Sequence, residues 1–247
     1  QDDIARNQLP HLDLAALSQA LQVPARRRFF ITESYFSMDG DGPDMGAVAA
    51  VCAERGAVLV VDEAHAFGIL GPEGRGRCAE AGVKPDVLVG TLGKAFGLSG
   101  AFAGGSTQLR TWLWNRARSF VFSTAVPPAL AAAAARRVPV VAAADVDRAR
   151  LEALGERFRE GLAREVGLRP GGFGPIIPLL LDSPEVALSM SRRLLEEGWV
   201  VQPMRPPTVP VGSSRLRLTV RSTLRDDDVD DAVRAIGAAY RDLSRTP

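Results

Sequence analysis

Lys94 lies in Thr91-Leu92-Gly93-Lys94-Ala95-Phe96-Gly97, a glycine-flanked loop directly after the apolar run 87–92. It and Lys84 are the only lysines in the chain. An earlier apolar run, residues 57–61, ends in Asp62-Glu63-Ala64-His65. Taken singly, these are ordinary residues: a solvated loop lysine, a strand-end aspartate and a polar surface histidine. Taken in this order they suit one cofactor. A lysine amine forms a Schiff base with an aldehyde. A carboxylate keeps a pyridine nitrogen protonated, so that the ring accepts electrons. An imidazole can donate to a phenolate oxygen and tune the imine. These are the groups that pyridoxal phosphate requires.

Further residues could complete such a site. Thr91 and Thr124 carry hydroxyls suited to a phosphate, and Ser37, in a turn after a strand, could donate to the cofactor oxygen. Arg205 opens Arg205-Pro206-Pro207-Thr208-Val209-Pro210, and Arg217 sits in Arg215-Leu216-Arg217-Leu218. Alternation along a strand puts Arg215 and Arg217 on one face. A guanidinium fork fits a substrate carboxylate in bidentate fashion. In an arginine-rich chain, surface charge is the competing account of both. His11, in Leu-Pro-His-Leu, has no comparable neighbours and is assigned no role.

The elements that must position these residues follow from patterning. Residues 28–32, 57–61, 87–91 and 101–104 read as strands, with 57–61 a continuous run expected to be covered on both faces. Helices are predicted over 12–21, with Asp13 as cap, and from Asp44 to Arg55, where Gly56 supplies the stop. Others are predicted over 106–118 and from Pro128 to Arg137. This spacing predicts a doubly wound α/β sheet. Ligands sit beyond the carboxyl ends of parallel strands, so Asp62 and Lys94 belong at one rim. Residues 145–165 form a long helix with Leu151, Leu154, Phe158 and Leu162 on one face. After it come strand 176–181, helix 184–197, strands 200–204 and 216–220, and helix 226–243. The expected domains are 1–144, the second half of a cofactor-binding α/β domain; 145–167, a connecting helix; and 168–247, a small α+β domain.

Composition narrows the setting. The chain has 247 residues, 46% hydrophobic and 24% charged, with a net charge of +1, which gives no case for nucleic acid or an anionic membrane. No apolar stretch reaches the ~18–20 residues that span a bilayer. Cys52 and Cys78 suggest neither a disulfide framework nor a zinc site. Gln1-Asp2-Asp3 reads as neither signal nor transit peptide, and a reducing cytoplasm is the expected compartment.

In order along the chain, Thr32-Glu33-Ser34-Tyr35-Phe36-Ser37-Met38-Asp39-Gly40-Asp41, Val61-Asp62-Glu63-Ala64-His65, Gly68-Ile69-Leu70-Gly71 through Gly74-Arg75-Gly76, Thr91-Leu92-Gly93-Lys94 and Phe122-Ser123-Thr124-Ala125-Val126-Pro127-Pro128 resemble the α-oxoamine synthase family of fold-type I pyridoxal phosphate enzymes. The resemblance runs from Phe30 to the end. It implies a fold-type I, aminotransferase-like sheet domain with a smaller C-terminal α+β domain. It also implies decarboxylative condensation of an amino acid with an acyl thioester of coenzyme A or a carrier protein. Lys94 would be the Schiff-base lysine, Asp62 the pyridine-nitrogen partner and His65 the phenolate neighbour. Ser37 and Thr91 would be cofactor contacts. Thr124 would reach the phosphate of the neighbouring subunit in a homodimer with shared sites. Family members are longer at the N-terminus, so the glycine-rich phosphate segment, the ring-stacking aromatic side chain and several strands are expected to lie outside this chain. A non-catalytic module of the same fold is the competing expectation: the missing portion favours it, and retention of Lys94, Asp62 and His65 argues against it.

Overall fold

The computed structural model describes residues 4–181 and 183–243; the reading of Gln1-Asp2-Asp3 lies outside them. The chain divides into two compact units. The first comprises the described residues up to Tyr35 together with Gly42–Ala144, and the second Phe36–Asp41 together with the chain from Asp145 onward.

In the first unit, β1 (Phe29–Glu33), β2 (Val58–Asp62) and β3 (Val87–Thr91) are parallel neighbours, and β4 (Ala101–Gly105) returns antiparallel on β3. Helices α1 (Leu14–Ala20) and α2 (Met45–Glu54) begin at aspartate caps. Asp13 accepts from the Ala16 amide at 2.8 Å and Asp44 from the Ala47 amide at 3.0 Å, satisfying N–H groups that a helix start leaves unpaired. The short helix α3 (Arg77–Glu80) lies between β2 and β3. Leu17, Leu21, Met45, Val48, Cys52, Leu59, Val61 and Cys78 form the core of this unit.

Among the described residues, one sheet face is the more deeply covered. Leu59 and Val61 are buried, whereas Val58 and Val60 on the other face are half-buried. Phe29 and Ile31, in register with Val58 and Val60, are 57% and 71% exposed. The expectation of a strand covered on both faces is corrected here: the described elements supply helices to one side of β2 alone.

Helices α4 (Thr107–Arg116), α5 (Arg118–Val121) and α6 (Pro128–Ala142) complete the unit. The helix predicted over 106–118 stops at Arg116, because Ala117 adopts an extended conformation (φ −74°, ψ 99°). The alanine-rich helix runs past Arg137 with Pro139 inside it, since a proline removes only one rung of the ladder.

The second unit holds α7 (Asp145–Val166), β5 (Ile176–Leu180), α8 (Pro184–Glu196), β6 (Gln202–Met204), β7 (Arg215–Thr219) and α9 (Asp226–Leu243). Its sheet is antiparallel, in the order β5-β7-β6. Leu151, Leu154, Phe158 and Leu162 of α7 are buried, as are Val229, Val233 and Ile236 of α9. Gly161 lets α7 and α9 approach closely, since a Cβ there would lie 2.9 Å from Val233 Cγ2. The helix expected as a connector is thus packed into this unit. Among the described residues no helix is long and apolar enough to cross a membrane.

Candidate active site

The carboxyl ends of β2 and β3 share one rim of the parallel sheet. Asp62 is in register with Val89, and Thr91 follows two residues later on the same face. Asp62 is half-buried, and its Oδ1 accepts from the Ala64 amide at 2.7 Å. That bond starts the turn carrying His65. The backbone of Glu63 anchors the turn: its N–H donates to Val89 O at 2.8 Å, and its carbonyl accepts from Ala66 and Phe67 at 2.9 and 2.7 Å.

The lysine loop closes between β3 and β4. The Leu92 amide donates to Gly100 O at 2.9 Å, Leu98 to Leu92 O at 2.8 Å, and Gly97 to Lys94 O at 2.9 Å. Lys94 itself is exposed. The Thr91 hydroxyl donates to Gly100 O and accepts from the Gly93 amide, each at 3.1 Å. Its single proton is therefore engaged in shaping the loop, and a lone pair is what it retains for another partner.

Packing joins the histidine turn to the lysine loop. Phe67 stacks on the buried Phe96 with centroids 5.0 Å apart and meets Phe102 edge-on at 5.2 Å. Gly68 has a positive φ of 93°, and a Cβ on it would lie 2.6 Å from Ala95 Cβ. The turn that carries His65 after Asp62 and the loop that carries Lys94 after Thr91 thus pack against each other. Thr124 belongs to the same unit and is exposed.

Ser37, Arg205 and Arg217 belong to the second unit. Arg217 Nε donates to Ser37 O at 2.6 Å, and its Nη1 to Thr219 Oγ1 at 3.0 Å. Arg215, on the same face of β7, is buried; it pairs with Asp39 at 2.5 Å and donates to Met38 O at 3.0 Å. The two arginines therefore hold the segment Phe36–Asp41. Arg205 is exposed, and its carbonyl accepts from the Thr208 amide at 3.0 Å.

Several residues escape a local reading of the sequence. Glu63 is fully buried and accepts from Ser34 Oγ at 2.5 Å, the Arg77 amide at 3.2 Å and the Cys78 amide at 2.7 Å. Its position beside Asp62 at a strand end is the only trace of this in the sequence. Burial first, and then the Glu63 charge, push the Cys78 thiol above its usual range. Arg159 is buried and donates to the carbonyls of Gly174 and Ile176, both at 3.0 Å.

The profile of the family described as "Aminotransferase class I and II" matches residues 4–236. An 8-amino-7-oxononanoate synthase of Marinobacter nauticus is 43% identical over 238 residues, which cover 95% of this chain and 60% of that protein. A crystal structure of 8-amino-7-oxononanoate synthase from Francisella tularensis superposes with a TM-score of 0.80 at 28% identity, covering 92% of this chain and 67% of that one. A serine palmitoyltransferase from S. paucimobilis with PLP–myriocin bound superposes with a TM-score of 0.89 at 27% identity, covering 95% and 60% respectively. The chain spans about three fifths of the length of the curated relatives it matches.

Proposed function

This chain belongs to the class I and II aminotransferase family, and from that premise we propose that it is the greater part of a pyridoxal-phosphate-dependent 8-amino-7-oxononanoate synthase. The reaction is condensation of L-alanine with a pimeloyl thioester of coenzyme A or a carrier protein, with loss of carbon dioxide and the thiol, in biotin synthesis. The relatives' names support the reaction. The observation that carries it is the packing of the Asp62–His65 turn against the Lys94 loop through Phe67, Phe96 and the Gly68–Ala95 contact.

The donor set fits the cofactor. A half-buried carboxylate suits a ring nitrogen, an accessible amine suits an aldehyde, and an imidazole on the packed turn suits a phenolate oxygen. When bound, the cofactor supplies an electron-accepting ring for the bonds broken at the amino-acid α-carbon. Lys94 would hold the aldehyde, and its amine would serve as the general base for the proton at the amino-acid α-carbon. Asp62 would place negative charge at the ring nitrogen, and His65 would donate to the ring oxygen. Ser37, Thr91 and Thr124 serve as cofactor contacts, Thr124 toward the phosphate in a neighbouring subunit. Arg217 with Arg205 orients the amino-acid carboxylate.

A homodimer with shared sites is part of this reading. From Ala101 to Ala142 no residue is buried, and Trp112, Trp114, Phe120 and Phe122 are all more than half exposed. Apolar surface on that scale suits an interface. Two buried, unbridged cysteines suit a reducing cytoplasm.

The test uses the full-length protein with pyridoxal phosphate. It should gain a near-violet absorbance that borohydride bleaches, with the added mass on Lys94. It should then form an aminoketone from alanine and pimeloyl-coenzyme A faster than from glycine or serine. A colourless protein with no mass on Lys94 would favour a non-catalytic module. A coloured protein preferring serine with a long acyl thioester would favour the palmitoyltransferase branch.

A further inference from the structure

Glu63 occupies the position between the two side chains assigned to the cofactor ring, yet nothing above gives it a chemical role. Its surroundings are built around a carboxylate. Three donors converge on its two oxygens: Ser34 Oγ and the Arg77 amide on Oε2, and the Cys78 amide on Oε1. The loop has been cleared to admit it, since a Cβ on Gly76 (φ +89°) would lie 2.5 Å from Oε2. Arg77 secures the donor in turn, as its Nη1 donates to the Ser34 and Pro43 carbonyls, each at 2.9 Å. A side chain wanted only to fill this space would be apolar, because a buried carboxylate is unfavourable unless its hydrogen bonds are made.

The backbone of the same residue is as constrained as its side chain. Glu63 N–H is bound to β3 through Val89 O, and its carbonyl receives both Ala66 and Phe67. Ser34, which follows β1 directly, donates its own amide to Asp62 O at 3.0 Å. Glu63, at the end of β2, therefore joins Ser34 after β1 and the start of α3 through its carboxylate, and β3 through its backbone N–H. We infer that Glu63 is a positioning residue: its carboxylate, clasped by Ser34 and the α3 amides, fixes the turn that aims Asp62 and His65 at the cofactor ring. Functional groups are held in productive geometry when neighbouring rotamers are locked by packing and hydrogen bonds. This inference rests on the cofactor reading above.

The test compares Glu63→Gln and Ser34→Ala with a stability control, Val48→Ala, in the full-length protein. Val48 is buried in the core of the first unit, with Cys78. Three quantities are measured: the visible circular dichroism per bound cofactor, the cofactor dissociation constant, and the melting temperature of the cofactor-free protein. Glu63→Gln should weaken cofactor retention roughly tenfold, by loss of a buried bond to a charged group. It should also alter the visible dichroism while borohydride still marks Lys94. Ser34→Ala should act in the same direction by about threefold, and it carries the test if the Glu63 variant does not fold. Val48→Ala should lower the melting temperature and change neither cofactor property. Dichroism and retention in Ser34→Ala and Glu63→Gln that match the control would overturn the inference while leaving the function intact. A parent protein with no reducible band would overturn both.

Discussion

At the residue scale, the proposed chemistry rests on Lys94 and Asp62, and Gly68 lets the histidine turn approach the lysine loop. If the proposed function holds, Lys94→Ala should lower aminoketone formation by more than ~10³-fold, since it would remove both the covalent anchor and the general base. Asp62→Asn keeps the shape and the Ala64 bond at Oδ1 but removes the charge. It should cost on the order of 10²-fold in turnover, with less effect on stability. Steady-state kinetics with melting curves on the same preparations would separate these effects, and an unimpaired Lys94→Ala protein would end the assignment. Gly68→Ala is a different kind of change: the new methyl would press on Ala95 at a positive φ, displacing the lysine loop without removing a reacting group. It should lower cofactor retention before it lowers melting temperature, as equilibrium dialysis would show.

At the element scale, α7 and α9 show which contacts hold the second unit. Arg157 pairs bidentately with Asp230 at 2.6 and 2.9 Å, but both are partly exposed. Such pairs contribute little to stability. Leu162, fully buried on the same helix, should cost about 3 kcal/mol as Leu162→Ala, and Arg157→Ala several-fold less; urea unfolding would rank them. The start of α9 carries a pH signature. Hydrogen bonds from the Arg225 side chain and amide hold the Asp228 carboxyl at about 2, below the ordinary 3.8. A carboxyl depressed in the folded state stabilises above its unfolded value, and the contribution is lost as pH falls through the folded one. The stability difference between the parent and Arg225→Ala should therefore be small but constant above about pH 5, and gone only below about pH 2. A difference that grew on acidification would contradict this.

At the scale of the whole molecule, the first unit leaves apolar surface unsatisfied. Trp114 and Phe120 pack on each other with centroids 5.2 Å apart, yet are 63% and 51% exposed, and Phe122 is 79% exposed. If this surface joins two copies, Trp114→Glu with Phe122→Glu should shift the full-length protein from dimer to monomer in sedimentation velocity. Cofactor affinity should fall with it, because Thr124 lies two residues beyond Phe122. A double variant that remains dimeric would place the interface elsewhere. The open sheet face bearing Phe29 and Ile31 is a separate apolar surface, and the described helices do not reach it.

Much of this protein is written locally. Strand β3 and helix α9 have the limits that periodicity predicts, and Asp13 and Asp44 cap the helices they precede, because period and capping depend on neighbours within one turn. The order of Asp62, His65 and Lys94 is also local information, and it suffices to propose a cofactor. The partners of buried charges were not legible. Glu63 meets Ser34 across 29 positions, and Arg215 meets Asp39 across 176. Arg215 and Arg217 look alike in sequence, yet one is buried on Asp39 and the other is bound to Ser37 O. Only the folded chain brings such groups within hydrogen-bond distance, and there desolvation compels every buried charge to find a partner. Tertiary structure alone also assigns Phe36–Asp41 to the second unit.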